Sequence, residues 1–243
     1  MLRTFYICRI LHCVLCLGLL NPFTLSNSLN AQEDAPYIDL LTEEGAFQWH
    51  SVSQRGQFEI VGDELRLSAS RECYLTTTRE FDDFTFEGQV LLPEGRANSG
   101  FLFRCHQAGS ELTGYQAEVD GWNRRWSGAL FEHRGRGWLW PSHTGGTKDP
   151  NLLKYESESK AFFRLRQVAT ALRRDRWNSY RITCQGASIR IEVNGVVTTD
   201  IDDTAHSSGV IGLQHHGETG AVYRFRNLRV RPGVPPVTSS PEE

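Results

Sequence analysis

Residues 114–130 read GYQAEVDGWNRRWSGAL, and chemistry-capable side chains are concentrated there. Gln116, Glu118 and Asp120 stand at every second position, and Trp122 and Trp126 follow directly. On a strand, alternate side chains share a face, so the three polar groups lie together and Tyr115, Ala117 and Val119 lie opposite. Carboxylates, an amide and flat aromatics suit sugar recognition. An indole face packs on the apolar C–H face of a pyranose, while carboxylates and amides take its hydroxyls.

The same alternation extends to other segments. In SGFLFRCH it puts Phe101, Phe103 and Cys105 on one face and Leu102, Arg104 and His106 on the other. In SGALFEH, Leu130 and Glu132 share a face, and Ala129, Phe131 and His133 take the other. In GVIGLQHH, Ile211 and Leu213 point to the core and Gln214 and His216 away, with His215 on the core side. An antiparallel sheet with one wet face yields such patterns without any site. The residue types argue for more. Arg104, Gln116, Glu118, Asp120, Glu132 and His216 form the set, with Trp122, Trp126, Trp138 and Trp140 in neighbouring loops and lysine nearly absent. Trp138 and Trp140 flank Leu139 in GRGWLWP, so they are expected on one face, lining a groove with Arg136. Trp49 and Trp177 read as core. His216 ends its strand before a glycine on the polar face, a fitting place for a proton-transfer group.

Positioning these groups falls to a series of short alternating runs, from QFEIV and ELRLSA to AVYRFRNLRVR, punctuated by turns. Asn194-Gly195 between two β-rich runs is a strong hairpin signal, because both residues tolerate positive φ. About a dozen short strands predict an all-β, two-sheet antiparallel β-sandwich or jelly roll. Residues 141–176 are the exception. They read as a loop and short-helix insertion, with Phe163, Val168, Ala171 and Leu172 on one side, and such insertions run over the surface beside a site. No internal repeat is visible, and residues 32–231 are expected to form one domain.

Residues 1–31 read as a signal peptide, with basic Arg3 and Arg9, an apolar run from Ile10 to Leu20 and small residues near position 31. The run is shorter than the about 20 apolar residues of a membrane span, so no span is expected after its removal. The expected location is periplasmic or secreted. The leader takes Cys8, Cys13 and Cys16 with it; Cys73, Cys105 and Cys184 are left as buried apolar residues, with no CxxC pair for zinc. The formal charge of −3 becomes −5 without Arg3 and Arg9, which disfavours nucleic acid as a partner. The Pro/Ser-rich acidic tail, residues 232–243, reads as disordered. Nothing in the sequence specifies an oligomeric state.

NSGFLFR, GYQAEVDGWNRRWSGALFEHRGRGWLWP, RWNSYRITCQGASIRIEVNGV and GVIGLQHHG…YRFRNLRVR together resemble the 3-keto-disaccharide hydrolase family, over about residues 38–231. The resemblance implies an exported bacterial protein with a concanavalin-like jelly roll, its site on the concave sheet, and a carbohydrate substrate. It also places Arg104, Gln116, Glu118, Asp120, Glu132 and His216 at matching polar positions. Where the family pattern has Tyr-Asp-Glu, this chain has Phe131-Glu132-His133.

A 3-keto sugar is cleaved readily for a physical reason. The ketone acidifies the C2 proton, a base removes it, the C1–O bond breaks by elimination, and water adds afterwards. His216 or Glu118 is the expected base, Asp120 or Glu132 the acid for the leaving oxygen, and Arg104 the cation for the enolate. Conventional hydrolysis by two carboxylates is an alternative, since Cα atoms two apart on a strand are roughly 6.6 Å apart and admit either spacing that mechanism uses. A divalent metal held by Glu118, Asp120, His133 and His216 is another, without HExxH-type spacing. A non-catalytic lectin-like module is the rival class, because a jelly roll serves both uses.

Overall fold

The computed structural model describes residues 36–42, 49–53 and 55–233. Residues 1–31, expected to be a leader, and nearly all of residues 232–243 lie outside them. Among the described residues are fifteen strands in two antiparallel sheets. The first sheet runs β13 (Val196–Asp202), β12 (Ser188–Val193), β11 (Asn178–Gln185), β6 (Phe84–Leu91), β15 (Val222–Pro232), β4 (Glu64–Ala69) and β3 (Gly56–Val61), with β1 (Ile38–Asp39) also on β15. The second runs β10 (Gly137–Trp140), β9 (Leu130–His133), β8 (Glu111–Asp120), β7 (Asn98–Ala108), β14 (Gly209–His215), β5 (Cys73–Phe81) and β2 (Trp49–Ser51).

Alternation builds the core. Phe84, Phe86 and Val90 face inward from β6, Tyr180, Ile182 and Cys184 from β11, and Phe101, Phe103, Tyr115, Ala117 and Val119 from the opposing sheet. Phe101 joins the sheets, with ring centroids 5.5 Å from Phe86, 5.0 Å from Tyr180 and 5.8 Å from Phe225. Burying each such ring contributes about 2–3 kcal/mol. Cys73, Cys105 and Cys184 are buried and free, as the sequence predicts.

Asn194-Gly195 is the expected hairpin turn. Val193 pairs with Val196, and the two turn residues hold φ of 50° and 80°. The insertion forms three short helices, α1 (Pro150–Leu153), α2 (Glu156–Arg164) and α3 (Arg166–Ala169). Asp149 caps α1 by accepting from the Asn151 N–H at 2.8 Å, with Pro150 in the first turn. Phe163 and Val168 are buried with Ala129, and Trp126, Trp138, Trp140 and Phe162 pack around them. The helices therefore buttress the tryptophan-bearing β8–β9 loop.

Candidate functional site

Gln116, Glu118 and Asp120 do share the face of β8 that looks away from the core, yet all three are almost fully buried. That face is concave. The rings of Tyr74 on β5 and His133 on β9 meet at 5.5 Å although three strands separate them, a span of about 19 Å at 4.8 Å per strand. Only a sheet that curls toward this face brings them together.

Glu118 lies at the centre of the floor. Its Oε1 accepts from Asn98 Nδ2 and from the Arg124 guanidinium, each at 2.6 Å, and its Oε2 accepts from Gln116 Nε2 at 2.8 Å. Burial raises its pKa, opposed by Arg124, Asn98 and Gln116. The Gln116 side chain crosses the strand where Gly100 lacks one: a Cβ on Gly100 would stand 2.3 Å from Gln116 Cδ. Gln116 gives its N–H to Glu118, so its Oε1 faces His133 Nε2 at 2.7 Å and sets that nitrogen as the protonated one. Burial drives the His133 pKa down to about 4, so the ring is neutral near pH 7.

Asp120 organises the loop that follows it. Its Oδ1 accepts the Trp122 N–H at 2.8 Å, and its Oδ2 accepts the Trp126 N–H and Arg124 Nε, each at 3.0 Å. Arg124 thus bridges both carboxylates. Its guanidinium also lies over Trp138 at 4.6 Å, Trp126 at 5.0 Å and Trp122 at 5.7 Å. His216 stands at the rim, 41% exposed, with its ring edge-on to Trp122 at 5.6 Å and Nδ1 3.2 Å from Glu218 Oε1.

Three expected members lie elsewhere. Arg104 sits in a bulge between Phe103 and His106, at φ 48°, flanked by Gly114 and Gly209 at φ 149° and 146°. The extra residue reverses the alternation. Cys105 turns outward to Leu102 and Leu112, and Arg104 turns between the sheets. There it donates to the carbonyls of Asp82 (2.9 Å), Gly186 (2.8 Å) and His206 (3.3 Å) and to Asp83 Oδ1 (3.1 Å). Glu132 pairs with Tyr115, so it too faces between the sheets. Its Oε2 accepts from Arg136 Nε at 2.5 Å, and its Oε1 is 2.8 Å from His206 Nε2. Arg136 in turn clamps Asp203 at 2.7 and 2.9 Å. Arg104, Glu132 and Arg136 therefore tie loops together at one open end of the sandwich.

Trp138 and Trp140 are also divided. A bulge at Leu139 leaves Trp138 opposite Phe131 on the concave face and Trp140 opposite Leu130, against Phe162 of α2.

A model of the 3-keto-alpha-glucoside-1,2-lyase-like domain matches residues 37–231. The chain belongs to this family. No curated protein matches it. Solved structures that share the fold of this lyase-like domain include three from bacteria. Carbohydrate binding module CBM66 from Bacillus subtilis is 17% identical, with 76% of this chain and 95% of that one covered and a TM-score of 0.53. A Parabacteroides distasonis protein named for a supposed glycosyl hydrolase activity is 15% identical, with 81% and 99% covered and a TM-score of 0.55. A Bacillus subtilis protein of unknown function with a galectin-like fold is 11% identical, with 82% and 96% covered and a TM-score of 0.55.

In this member of the lyase-like family, among the described residues, no three His, Cys, Asp or Glu side chains form a group that could hold a metal ion. The Glu118 and Asp120 oxygens are taken by Arg124, two amides and two main-chain N–H groups, so the residues expected as ligands do not fit that role. Sequence reasoning missed Arg124, Asn98 and Glu218. Asn98 was visible in NSGFLFR, whose strand pairs Asn98 with Asp120. Glu218 follows His216 by two residues, and no periodic pattern marks it.

Proposed function

We propose that the concave face binds a 3-keto-glycoside and cleaves its glycosidic bond by base-assisted elimination followed by hydration. The observation that supports this most is the Glu118–Arg124–Asp120 constellation, walled by Trp122, Trp126 and Trp138, in a chain of the 3-keto-alpha-glucoside-1,2-lyase-like family. His216 is the base: it stands at the rim beside Trp122 and has a carboxylate on Nδ1, leaving Nε2 for the C2 proton. The C2–H electron pair forms the enolate, whose oxygen faces the Arg124 guanidinium in place of the expected Arg104. Collapse of the enolate forms the C1–C2 double bond and breaks C1–O. The departing oxygen takes its proton from water at the rim, because both Glu118 oxygens are held as acceptors by Arg124, Asn98 and Gln116. The protein acts outside the cytoplasm after its leader is removed.

One observation favours a binding module instead. The floor carboxylates are already saturated with protein donors, as suits recognition by stacking alone. Product release from a 3-keto-glucoside and from the unoxidised glucoside, with and without chelator, separates the readings. Cleavage of the keto sugar alone supports elimination. Cleavage of both indicates a conventional two-carboxylate hydrolase. Binding with no cleavage of either indicates the module, and loss of activity with chelator would restore a metal to the mechanism.

A further inference from the structure

Two chains of hydrogen bonds meet at Asn98, and one of them leads from the floor to the rim. Asn98 Nδ2 donates to Glu118 at 2.6 Å, while the Asn98 main-chain N–H donates to the Tyr223 hydroxyl at 2.9 Å. Tyr223 belongs to β15 of the opposite sheet and is fully buried, with the His215 ring edge-on at 4.7 Å. Its hydroxyl donates to Glu218 Oε2 at 2.8 Å, and Glu218 Oε1 is 3.2 Å from His216 Nδ1. Glu218 lies in the β14–β15 turn, where a free carboxylate would otherwise sample many rotamers. Tyr223 anchors one of its oxygens to the core and leaves the other for His216.

We infer that Glu218 is a positioning residue: held by Tyr223, it fixes His216 with Nδ1 protonated and Nε2 open as the proton acceptor over the Glu118 floor. This rests on the proposed elimination and names the device that prepares its base. Glu218 Oε1 can only accept, so the neutral imidazole must carry its proton on Nδ1. When Nε2 takes the C2 proton, the carboxylate stabilises the imidazolium, and the proton then passes to solvent. Charged or titratable neighbours include His215, adjacent in the chain, and Arg96 and Arg124, which lie over Trp122 at 3.9 and 5.7 Å, while Arg71 and Glu72 run beside Gly217. The arginines oppose the imidazolium, so Glu218 carries the compensation.

The test uses 4-nitrophenyl 3-keto-α-glucoside with the wild-type chain and with Glu218→Gln, Glu218→Asp and Tyr223→Phe. Glu218→Gln is expected to lower kcat about tenfold to a hundredfold with KM nearly unchanged. Glu218→Asp should restore kcat to near the wild-type value, and Tyr223→Phe should lower kcat less than Glu218→Gln does. A Glu218→Gln variant with wild-type kcat would overturn the inference while leaving the elimination intact. A wild-type chain that releases no nitrophenol would overturn both.

Discussion

Arg124→Met is the perturbation whose outcome the floor geometry defines best. Methionine keeps most of the apolar stem against Trp126 and Trp138 but removes the charge shared by Glu118 and Asp120. Both carboxylates are nearly inaccessible to water, while Arg124 itself is 28% exposed. Breaking a buried ion pair costs about 3–5 kcal/mol, and the partial exposure of Arg124 puts the expected loss near the lower end, about 3 kcal/mol. For a chain of this size that is a fall in Tm of about 6–12 °C. The sign with pH follows from Glu118. Its folded pKa already lies above the unfolded one, and losing Arg124 raises it further. The folded state then binds more protons than the unfolded state, so stability falls as pH rises above the unfolded carboxylate range. The variant should therefore be least destabilised at pH 4 and most at pH 7–8, measured by urea unfolding across that range. In Glu118→Gln the charge that needs Arg124 is gone, so the Arg124→Met loss should shrink by more than about 1 kcal/mol in the double-mutant cycle. A destabilisation independent of pH, together with simple additivity in the cycle, would refute the assignment of Arg124 as the counter-ion of Glu118.

Gly100→Ala should displace the Gln116 amide, since the new Cβ would meet it at 2.3 Å; a cost of about 1–3 kcal/mol in urea unfolding is expected, with weakened sugar binding by calorimetry. The His133 ring resonances should titrate near pH 4, well below the usual histidine value, when followed by NMR; a midpoint near 6.5 would show that the ring is not buried against Gln116. Arg104→Met should lower Tm by about 6–12 °C, through loss of a buried latch worth about 3 kcal/mol, while kcat of the folded protein stays at the wild-type value.

The two-sheet architecture was legible because alternation is a local property. FTFEGQVLL, NSYRITCQ and SIRIEVNG each declare a buried face by themselves, and Asn194-Gly195 declares its turn. The floor of the site was legible for the same reason: Gln116, Glu118 and Asp120 lie on one uninterrupted strand, and nothing intervenes to change their parity. The errors fall at bulges. One extra residue at Arg104 exchanged the faces of Arg104 and Cys105, and another at Leu139 separated Trp138 from Trp140. A bulge depends on the partner strands, here on Gly114 and Gly209, whose missing Cβ atoms leave room for the Arg104–Cys105 backbone. Glu132 went astray differently. It follows the alternation, but at that end of the sandwich the inner face opens onto loops that bring Arg136, Asp203 and His206 to it. The types of the groups available for sugar chemistry, and the faces of those on regular strands, are thus set by the chain's own period of two. Which arginine meets the carboxylates, and which carboxylate steadies the rim histidine, depends on loops closing across distant strands. Such contacts are decided by sheet curvature and hydrogen-bond satisfaction, and neither leaves a periodic trace in the sequence.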